Sequence, residues 1–322
     1  MLYPLKFKPV LKPLIWGGQR LRDFGKNIPN NENIGESWEL SGLEGNVSVV
    51  SNGTLAGNTL NELLEVYLDE LVGEKVFEQY GKTFPLLFKL IDANSDLSIQ
   101  VHPNDEIAME KHNSFGKTEM WYIVDAEPDA KIVLGFNRKM DAASLRKSIE
   151  DNTLEQNLKY ISVKKGDVFY IPAGAIHAIG KGILIAEIQQ SSGITYRLYD
   201  YGRLDERGNP RDLHVEDALQ AIDYNLNVDD CIIKPNATGA VTNLVTSDYF
   251  TTNLLNINSL LQRDYSDTDS FVVYMCLEGK ANIIYKEGEL SIQKGDTVLL
   301  PNKEDAVSIH PEGMVKMLEV WK

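Results

Sequence analysis

The chain has 322 residues, 43% of them hydrophobic and 25% charged, a composition typical of folded globular proteins that excludes a disordered or fibrous chain. With 32 basic and 47 acidic residues the formal net charge is −15, so we expect no binding to nucleic acid or to anionic membranes. If the ligand is an anion, a local cluster of basic side chains must oppose this charge.

No apolar run approaches the roughly 20 residues of a membrane helix, and prolines and lysines interrupt the first twelve residues, where a secretory signal would need an apolar run. Cys231 and Cys276 are too few for a disulfide framework or a cysteine-based zinc site. We therefore expect a cytoplasmic protein with reduced, buried cysteines. Its length suits two domains.

Loops and short strands are predicted up to about residue 56, where Pro, Gly and Asn are frequent. From Thr59 the apolar residues follow helical spacing, and Thr59 and Glu62 have the spacing of a capping box. Helical segments are thus predicted near 59–80, and further ones near 140–158 and 215–224.

Short runs rich in Leu, Ile, Val and aromatic residues, separated by turn residues, predict the strands of an antiparallel sheet or barrel. The chain from about residue 241 is strand-like again. Before it, the predicted strands lie at 86–91, 97–102, 120–124, 131–136, 161–163, 167–171, 175–179, 183–189 and 194–199.

One sequence unit occurs twice. Lys165-Gly166-Asp167 is followed by Pro172, and Lys294-Gly295-Asp296 is followed by Pro301, with the same spacing between turn and proline in both copies. In each copy a Gly-Asp turn precedes an apolar strand that ends at a proline, which is typical of a small β-barrel with hairpin connections. The repeat predicts two β domains, at 1–235 and 236–322.

Four side chains are candidates for holding a metal ion. Period-2 alternation places Gln100 and His102 on one face of a strand, together with Ser98. His177 ends a turn that directs its side chain inward, and Glu119 stands at the entry to a strand. Two imidazoles, one carboxylate and one amide oxygen suit Zn²⁺ with an open position, and equally Fe²⁺, Mn²⁺ or Co²⁺.

The segment from Gly166 to His177 has the pattern Gly-(five)-Pro-x-Gly-(two)-His, which resembles the second motif of the cupin superfamily. The first cupin motif is altered, because Gln100 stands where that motif has its first histidine, and Glu119 follows His102 at a much greater distance than the motif's glutamate does. Lys181 also stands where the second motif often ends in Asn.

With these departures from the cupin motifs, the sequence resembles the type I mannose-6-phosphate isomerase family. The resemblance runs from about residue 13 to 222 and continues more weakly to the end. Several separated motifs carry it, and they occur in the right order: Trp16-Gly17-Gly18, Gly35-Glu36-Ser37-Trp38-Glu39, Pro85-Leu86-Leu87-Phe88-Lys89, Gln100-Val101-His102-Pro103-Asn104-Asp105, Gly116-Lys117-Thr118-Glu119, Ile171-Pro172-Ala173-Gly174-Ala175-Ile176-His177, Glu187-Ile188-Gln189-Gln190 and Thr195-Tyr196-Arg197.

The resemblance implies a mainly β fold with some helix, consisting of two cupin-type, jelly-roll-like double-stranded β-barrels and a small helical appendage. It implies one Zn²⁺ per chain, bound by Gln100, His102, Glu119 and His177. The large helical insertion of longer members is lacking, which indicates the short bacterial form. The implied reaction interconverts mannose 6-phosphate and fructose 6-phosphate, a small phosphorylated sugar being the partner.

The resemblance also assigns the family's active-site arginine to Arg197 and two of its lysines to Lys89 and Lys117. Isomerisation through a cis-enediol needs a Lewis acid at the carbonyl, which zinc can supply. Lys89 with a lowered pKa and Glu187 with a raised pKa are equal candidates for the base, and a zinc-bound hydroxide is a third. Lys117 and Ser98 are assigned to the substrate phosphate.

The second copy of the repeat is predicted to lack a metal site, because Ala306 stands at the position that corresponds to His177 and the strand aligned with Glu119 carries no carboxylate. It is expected to serve as a structural lid or as a dimer surface. The sequence does not decide whether the chain forms a homodimer. Two alternatives remain at this stage: an Fe²⁺-dependent cupin oxygenase, since two histidines and a carboxylate also describe the facial triad, and a sugar-binding cupin without activity.

Overall fold

The computed structural model describes residues 2–204, 208–235 and 239–322, and these are mainly β. None of the helices within them is long and apolar enough to cross a membrane. The strands of the described chain, numbered in order, are β1 (Leu5–Lys8), β2 (Val10–Gly18), β3 (Ile34–Leu40), β4 (Val49–Val50), β5 (Leu86–Ala93), β6 (Ile99–Val101), β7 (Glu119–Ala126), β8 (Lys131–Phe136), β9 (Leu158–Ser162), β10 (Val168–Ile171), β11 (His177–Ile179), β12 (Ile183–Gln190), β13 (Tyr196–Tyr199), β14 (Ile232–Ile233), β15 (Val241–Thr246), β16 (Thr251–Ile257), β17 (Leu261–Asp264), β18 (Val272–Glu278), β19 (Lys280–Tyr285), β20 (Gly288–Gln293), β21 (Thr297–Leu300), β22 (Ala306–Pro311) and β23 (Val315–Trp321).

The helices are short and lie on the outside of the sheets. The α-helices of the described chain are α1 (Leu60–Tyr67), α2 (Asp69–Val72), α3 (Glu74–Tyr80), α4 (Asp105–His112), α5 (Ala142–Glu150) and α6 (Val215–Ala221). Single 3₁₀ turns occur at Arg20–Phe24, Leu154–Asn157 and Val228–Cys231.

The described strands form four antiparallel sheets, two built from residues 10–233 and two built mainly from residues 241–321. Sheet I has the order β14-β10-β7-β12-β5-β3-β2, and sheet II the order β13-β6-β11-β8-β9. Sheet III has the order β15-β16-β23-β18-β21-β1-β4, and sheet IV the order β17-β22-β19-β20. In the described strands none of these sheets closes on itself, so the double-stranded barrel stays a prediction.

Sheets I and II face each other across one apolar core, and sheets III and IV across another. We call these pairs the first unit and the second unit. A third and larger core, which includes Phe88 of sheet I and Val273 of sheet III, joins the two units, and the helices α1 to α3 pack against it. Sheet I is therefore buried on both faces.

This double burial explains why the strands of sheet I are almost continuously apolar. Alternation along β7 directs Met120 and Tyr122 towards the core between the units, whereas Trp121 and Ile123 face sheet II. Glu119 has the parity of Trp121. Glu119 therefore points into the first unit, towards sheet II.

The internal repeat has a structural counterpart. Gly166 has φ +91° and Gly295 has φ +90°, a conformation that favours glycine, and each begins a tight turn before a four-residue strand. The strands that follow, β10 and β21, begin at corresponding positions of the two copies. Each pairs with the corresponding long strand of its unit, β7 or β18.

The helical segment near 59–80 begins with the capping box of Thr59 and Glu62 but consists of three short helices. Leu68 with φ 48° and Gly73 with φ 95° separate them. A side chain at Gly73 would lie 2.4 Å from the Asp269 backbone oxygen, so this break also brings the helices against the second unit.

Helix α4 was not among the helical segments predicted from the sequence. The Asn104 side chain accepts a hydrogen bond from the Ile107 amide and begins the helix. Only Ala108 of this helix is buried, so no apolar periodicity marks it in the sequence.

The beginning of the described chain contributes two strands to the second unit. β1 and β4, from the first 50 residues, complete sheet III of the second unit, and Leu5 pairs with Leu299. The predicted division at 235 lies beside residues 236–238, which are outside the described residues. The two domains at 1–235 and 236–322 thus stay a prediction, and the segment around β1 packs with the second of them.

Candidate metal centre and active site

Three side chains that could hold a metal ion converge in the core of the first unit. The candidate ligand atoms of His102, Glu119 and His177 lie within 4.8 Å of one another, and all three side chains are buried. His102 Nε2 lies 3.3 Å and His177 Nε2 4.0 Å from a Glu119 carboxylate oxygen. Three of the four predicted ligands are therefore together.

Strand pairing explains this convergence. His177 of β11 is the direct partner of Gln100 of β6 in sheet II. Glu119, at the start of β7, comes from the facing sheet I, and it pairs with Ile171 where β10 ends. The ligands thus come from both sheets, at the same end of the first unit.

The outer nitrogen of each imidazole is fixed by the backbone. His102 Nδ1 lies 2.9 Å from the Ile194 carbonyl oxygen, and His177 Nδ1 lies 2.9 Å from that of Ala175. A carbonyl oxygen only accepts, so both Nδ1 atoms carry the proton and both Nε2 atoms present a lone pair. This arrangement is the usual one for metal-ligating histidines.

Two neutral imidazoles and an ionised carboxylate fit a divalent metal ion. Burial, reinforced by the Lys117 ammonium, lowers the pKa of His102 to about 3, and burial also lowers that of His177. Burial alone would raise the pKa of Glu119, but Lys117 and His102 outweigh it and hold it well below the usual range. All three groups are in the protonation state that metal binding requires.

Gln100, the fourth predicted ligand, lies next to this group. Its amide nitrogen is 3.4 Å from His177 Nε2, and its Oε1 is 3.5 Å from the Ser98 hydroxyl. The amide oxygen is the atom that could bind a metal, and the side chain that carries it contacts one of the three converging residues.

Lys117 lies against the candidate ligands themselves. Its ammonium is 2.9 Å from Glu119 Oε1 and 3.1 Å from His102 Nε2. The Lys117 ammonium thus lies between two of the atoms that could bind a metal ion, Glu119 Oε1 and His102 Nε2. The phosphate role predicted for Lys117 stays a prediction, and these contacts put its charge at the metal end of the site.

A second buried ion pair lies beside the first group. Lys89 Nζ is 3.0 Å from Glu187 Oε1 and 3.8 Å from Glu36 Oε2, and Glu36 also accepts a 2.6 Å hydrogen bond from Trp38. The strand partners Lys89 and Glu187 are directly opposite in β5 and β12. Their side chains share the face of sheet I that carries Glu119.

The two members of this pair have opposite electrostatic surroundings. Burial and the nearby Glu119 raise the pKa of Glu187, and Lys89 offsets them only in part. Burial alone would lower the pKa of Lys89, but Glu187 and Glu36 raise it above its ordinary value. Lys89 therefore stays charged, whereas Glu187 is a carboxylate with raised proton affinity.

Trp121 connects the two groups. Its indole N–H lies 3.1 Å from Glu119 Oε2 and 3.0 Å from Glu187 Oε2. One buried donor is thus shared by two buried carboxylates. The sequence analysis did not identify Trp121 as a site residue, although its position two residues after Glu119 places it on the same face of the strand.

A cavity of about 250 Å³ opens beside these residues. Arg197 lines it and makes a 3.3 Å hydrogen bond to the Ser98 hydroxyl and a 2.8 Å bond to the Asp212 carbonyl. Arg211 lines it as well, and its Nε lies 2.7 Å from Asp200. Further polar side chains in the wall are those of Glu36, Lys89, Ser98, Gln100, Lys117, Glu187, Ser192 and Thr195.

The arginines form the local basic cluster that the net charge of −15 requires of an anion-binding protein. Burial and the neighbouring Arg211 lower the pKa of Arg197, a consequence of placing like charges together. Arg211 and Arg203 share the carboxylate of Asp200. Arg211 was not found from the sequence, since no motif and no strand pattern marks residues 200–214.

Comparison with known proteins agrees with the family resemblance found in the sequence. Residues 4–140 match the family model "Phosphomannose isomerase type I, catalytic domain", and residues 240–320 match "Mannose-6-phosphate isomerase, cupin domain". The chain is 39% identical to mannose-6-phosphate isomerase ManA of Bacillus subtilis over 92% of this chain and 93% of that one.

The chain belongs to the type I phosphomannose isomerase family.

It is thus an isomerase, and its coverage of the Bacillus relative gives it the length of the short bacterial form. It is also 39% identical to the mannose-6-phosphate isomerase of Streptococcus mutans, over 94% of this chain and 93% of that one. The crystal structure of the Bacillus subtilis mannose 6-phosphate isomerase superposes with a TM-score of 0.89 at 35% identity, covering 99% of both chains. A putative mannosephosphate isomerase from Archaeoglobus fulgidus, at 20% identity over 98% of this chain and 96% of that one, shares the fold with a TM-score of 0.80.

Proposed function

We propose that this member of the family interconverts mannose 6-phosphate and fructose 6-phosphate with one bound Zn²⁺, by proton transfer through a cis-enediol. The substrate is supported by the relatives from Bacillus subtilis and Streptococcus mutans, which are named mannose-6-phosphate isomerases. The observation that carries the proposal is the buried group of His102, Glu119 and His177 at a cavity that also contains a carboxylate base candidate and two arginines.

We propose that His102, Glu119 and His177 hold the metal, with Gln100 as the fourth ligand. When bound, the metal supplies a Lewis acid for the sugar oxygens at C1 and C2, which makes the neighbouring C–H bond acidic. The chemistry of the donors supports Zn²⁺, because two neutral imidazoles with a carboxylate are a common catalytic zinc set. The hydrogen bonds of Ile194 and Ala175 hold the imidazoles in the required tautomer.

Glu187 is the better candidate for the base. Its pKa is raised, and a base whose pKa lies nearer to neutrality accepts a proton from carbon more readily. Lys89 is held in its charged form by Glu187 and Glu36 and so has no lone pair to offer. In this proposal Glu187 carries the proton between C1 and C2, and Lys89 stabilises its charged form.

The phosphate group is proposed to lie at the other side of the cavity. Arg197 and Arg211 present planar guanidinium groups suited to a dianion, and the Ser98 hydroxyl lies within hydrogen-bond distance of Arg197. Lys117 is engaged with Glu119 and His102, so we assign its ammonium to the sugar oxygens at the metal end. Its predicted phosphate role is replaced in this proposal.

The fold detail is part of the proposal as well. We propose that sheets I and II, and sheets III and IV, are each a cupin-type double-stranded barrel whose sheets face each other without closing. The two separate apolar cores and the repeated Gly-Asp turn support this interpretation. In the second unit, Ala306 replaces His177 as the first residue of the equivalent strand, which supports a unit without metal.

The test is a coupled assay of fructose 6-phosphate formation from mannose 6-phosphate, before and after chelation and with zinc added back. We expect chelation to abolish activity and zinc to restore it. His102→Ala should lose both zinc and turnover. Arg197→Ala should keep zinc but lose most of its kcat/KM for mannose 6-phosphate, mainly through a higher KM. Oxygen uptake that depends on substrate would instead identify an oxygenase and contradict the proposal.

A further inference from the structure

The second unit contributes a hydrogen bond to the segment that carries Lys117. Tyr249, between β15 and β16, donates its hydroxyl to Asp105 Oδ2 at 3.0 Å. Asp105 belongs to the first unit, at the start of α4 and three residues after His102. This contact joins the second unit to the segment of the first unit that follows His102.

Asp105 is in turn bonded to the loop that precedes Glu119. The Gly116 amide donates to Asp105 Oδ1 at 2.8 Å, and Gln190 Nε2 donates to the same oxygen at 2.9 Å. Gln190 also accepts a 2.8 Å bond from the Thr118 amide. One carboxylate thus holds residues on both sides of Lys117.

The backbone packs closely at this point. A side chain at Gly116 would lie 2.6 Å from the Asp105 nitrogen, so the loop and the start of α4 touch without intervening atoms. The Lys117 amide donates to the Pro103 carbonyl at 3.0 Å, one residue after His102. The positions of His102, Lys117 and Glu119 relative to one another therefore depend on this junction.

Aromatic packing reinforces the junction from the side. Phe115 of the loop makes an edge contact with Tyr80 of α3, with ring centroids 5.5 Å apart. The Lys322 ammonium near the end of the chain lies 5.6 Å from the Tyr80 ring centre. The loop is thus enclosed by groups from α3, from β12 and from the second unit.

We propose that Tyr249 is a positioning residue for the isomerisation: through Asp105 it holds the loop of residues 113–118, and so sets the place of the Lys117 ammonium. The link to the reaction rests on the proposed function, because only there does Lys117 meet the sugar. The hydrogen-bond chain from Tyr249 to the loop stands on geometry alone. The second unit is accordingly more than a cover for the first.

The decisive variant is Tyr249→Phe, which removes one hydroxyl from a half-buried ring and keeps its packing. We expect kcat to fall on the order of fivefold with KM for mannose 6-phosphate nearly unchanged, because one hydrogen bond to a charged acceptor is lost while the arginine end of the cavity is intact. Amide hydrogen exchange should become faster in residues 113–118 and stay unchanged elsewhere.

Two comparisons make the result specific. Tyr285→Phe, a half-buried tyrosine of the same unit whose hydroxyl has no hydrogen-bond partner among the described residues, should leave kcat and exchange unchanged. Asp105→Ala should lower kcat more than Tyr249→Phe, and the double variant should be no worse than Asp105→Ala, because both changes act on one contact.

Unchanged kcat and loop exchange in Tyr249→Phe would overturn the inference. So would additive effects in the double variant, or faster exchange spread evenly over the second unit, which would show Tyr249 to be only structural. If the wild-type chain had no isomerase activity but Tyr249→Phe still loosened residues 113–118, the proposed function would fail and the positioning contact would stand.

Discussion

Trp121 is the residue whose single donor serves two buried carboxylates. Trp121→Phe removes that donor while keeping an aromatic ring on the inner face of β7. Glu119 and Glu187 would each lose a hydrogen bond to a charged oxygen, a change worth roughly 1.5–3 kcal/mol in buried surroundings. We therefore expect kcat to fall about tenfold or more in the coupled assay and zinc to be bound more weakly in competition with a chelator.

Trp321→Phe is the matched control, since Trp321 lies at the end of β23 in the second unit, far from both carboxylates along the fold. It should keep wild-type kcat and zinc affinity. A Trp121→Phe enzyme with wild-type values of both would show that the shared donor does not position the carboxylates.

The Lys89–Glu187 pair sets the pH dependence of the proposed reaction. Burial and Glu119 raise the pKa of Glu187, and Lys89 lowers it. Replacing the cation in Lys89→Met removes the lowering contribution, so the pKa of Glu187 rises further. A base is active when deprotonated, and the acid limb of kcat/KM against pH should therefore move to higher pH.

The same profile separates the two base candidates. If Lys89 were the base, Lys89→Met would abolish turnover at every pH rather than displace the limb. Lys82→Met is the control, because Lys82 forms an exposed pair with Glu65 at 3.7 Å, and its profile should match that of the wild type.

At the scale of the residue, the sequence predicted which side chains come together where a motif placed them on a strand. The parity of Gln100 and His102, and the turn before His177, indicated a metal centre, and three of the four candidates converge. Arg211, Trp121 and Tyr249 could not be found in the same way. Their importance comes from contacts between distant segments, and each taken alone has an ordinary structural explanation.

At the scale of the strands, the two units place a buried glutamate at the same position of their paired strands. Glu187 pairs with Trp121 in the first unit, and Glu319 pairs with Tyr274 at the matching place in the second. Glu319 is fully buried and bonded to Arg263 at 2.7 and 2.9 Å, to Asn253 and to Tyr265. All of its lone pairs are engaged, so it serves as a structural carboxylate.

Arg263→Met tests this structural role. The change leaves a buried carboxylate without its cation, which costs about 3 kcal/mol in comparable cases, and the free energy of unfolding in urea should fall by about that much. Activity below the transition should persist, since Arg263 lies in the second unit. Lys280→Met breaks the exposed pair with Glu312 and should cost less than about 1 kcal/mol.

An equal urea midpoint for both variants would show that burial of the Glu319 carboxylate does not require the Arg263 cation.

The strands and helices themselves were largely predictable from the sequence, because turn residues separate runs of apolar residues. Helix α4 was missed since one buried residue gives no periodicity. The division of helix 59–80 was missed because Leu68, an ordinary helix former, adopts φ 48° only in its tertiary setting.

At the level of the whole molecule, the two units share their largest core. Phe88, Met120 and Val273 belong to it, and sheet I has no solvent-facing side there. The sequence indicated two copies but not their common core, because a strand buried on both faces is apolar whichever partner covers it. Neither unit is complete without the other.

A chain truncated after residue 235 should therefore fail to fold. It would expose one face of sheet I and leave β1 without its partner β21, so we expect no cooperative thermal transition in near-UV circular dichroism. Supplying residues 239–322 as a second chain should restore the transition. A sharp, native-like transition of the fragment alone would establish two independent domains.

The pairing of Leu5 with Leu299 has a consequence for biosynthesis. β1 is synthesised long before β21, its neighbour in the sheet, and such a distant contact makes for slow folding. β4 can pair with one edge of β1 early, but the backbone groups on the other edge stay unpaired until β21 has been synthesised. Cells that make this enzyme in quantity should need chaperones mainly for nascent chains that end before β21.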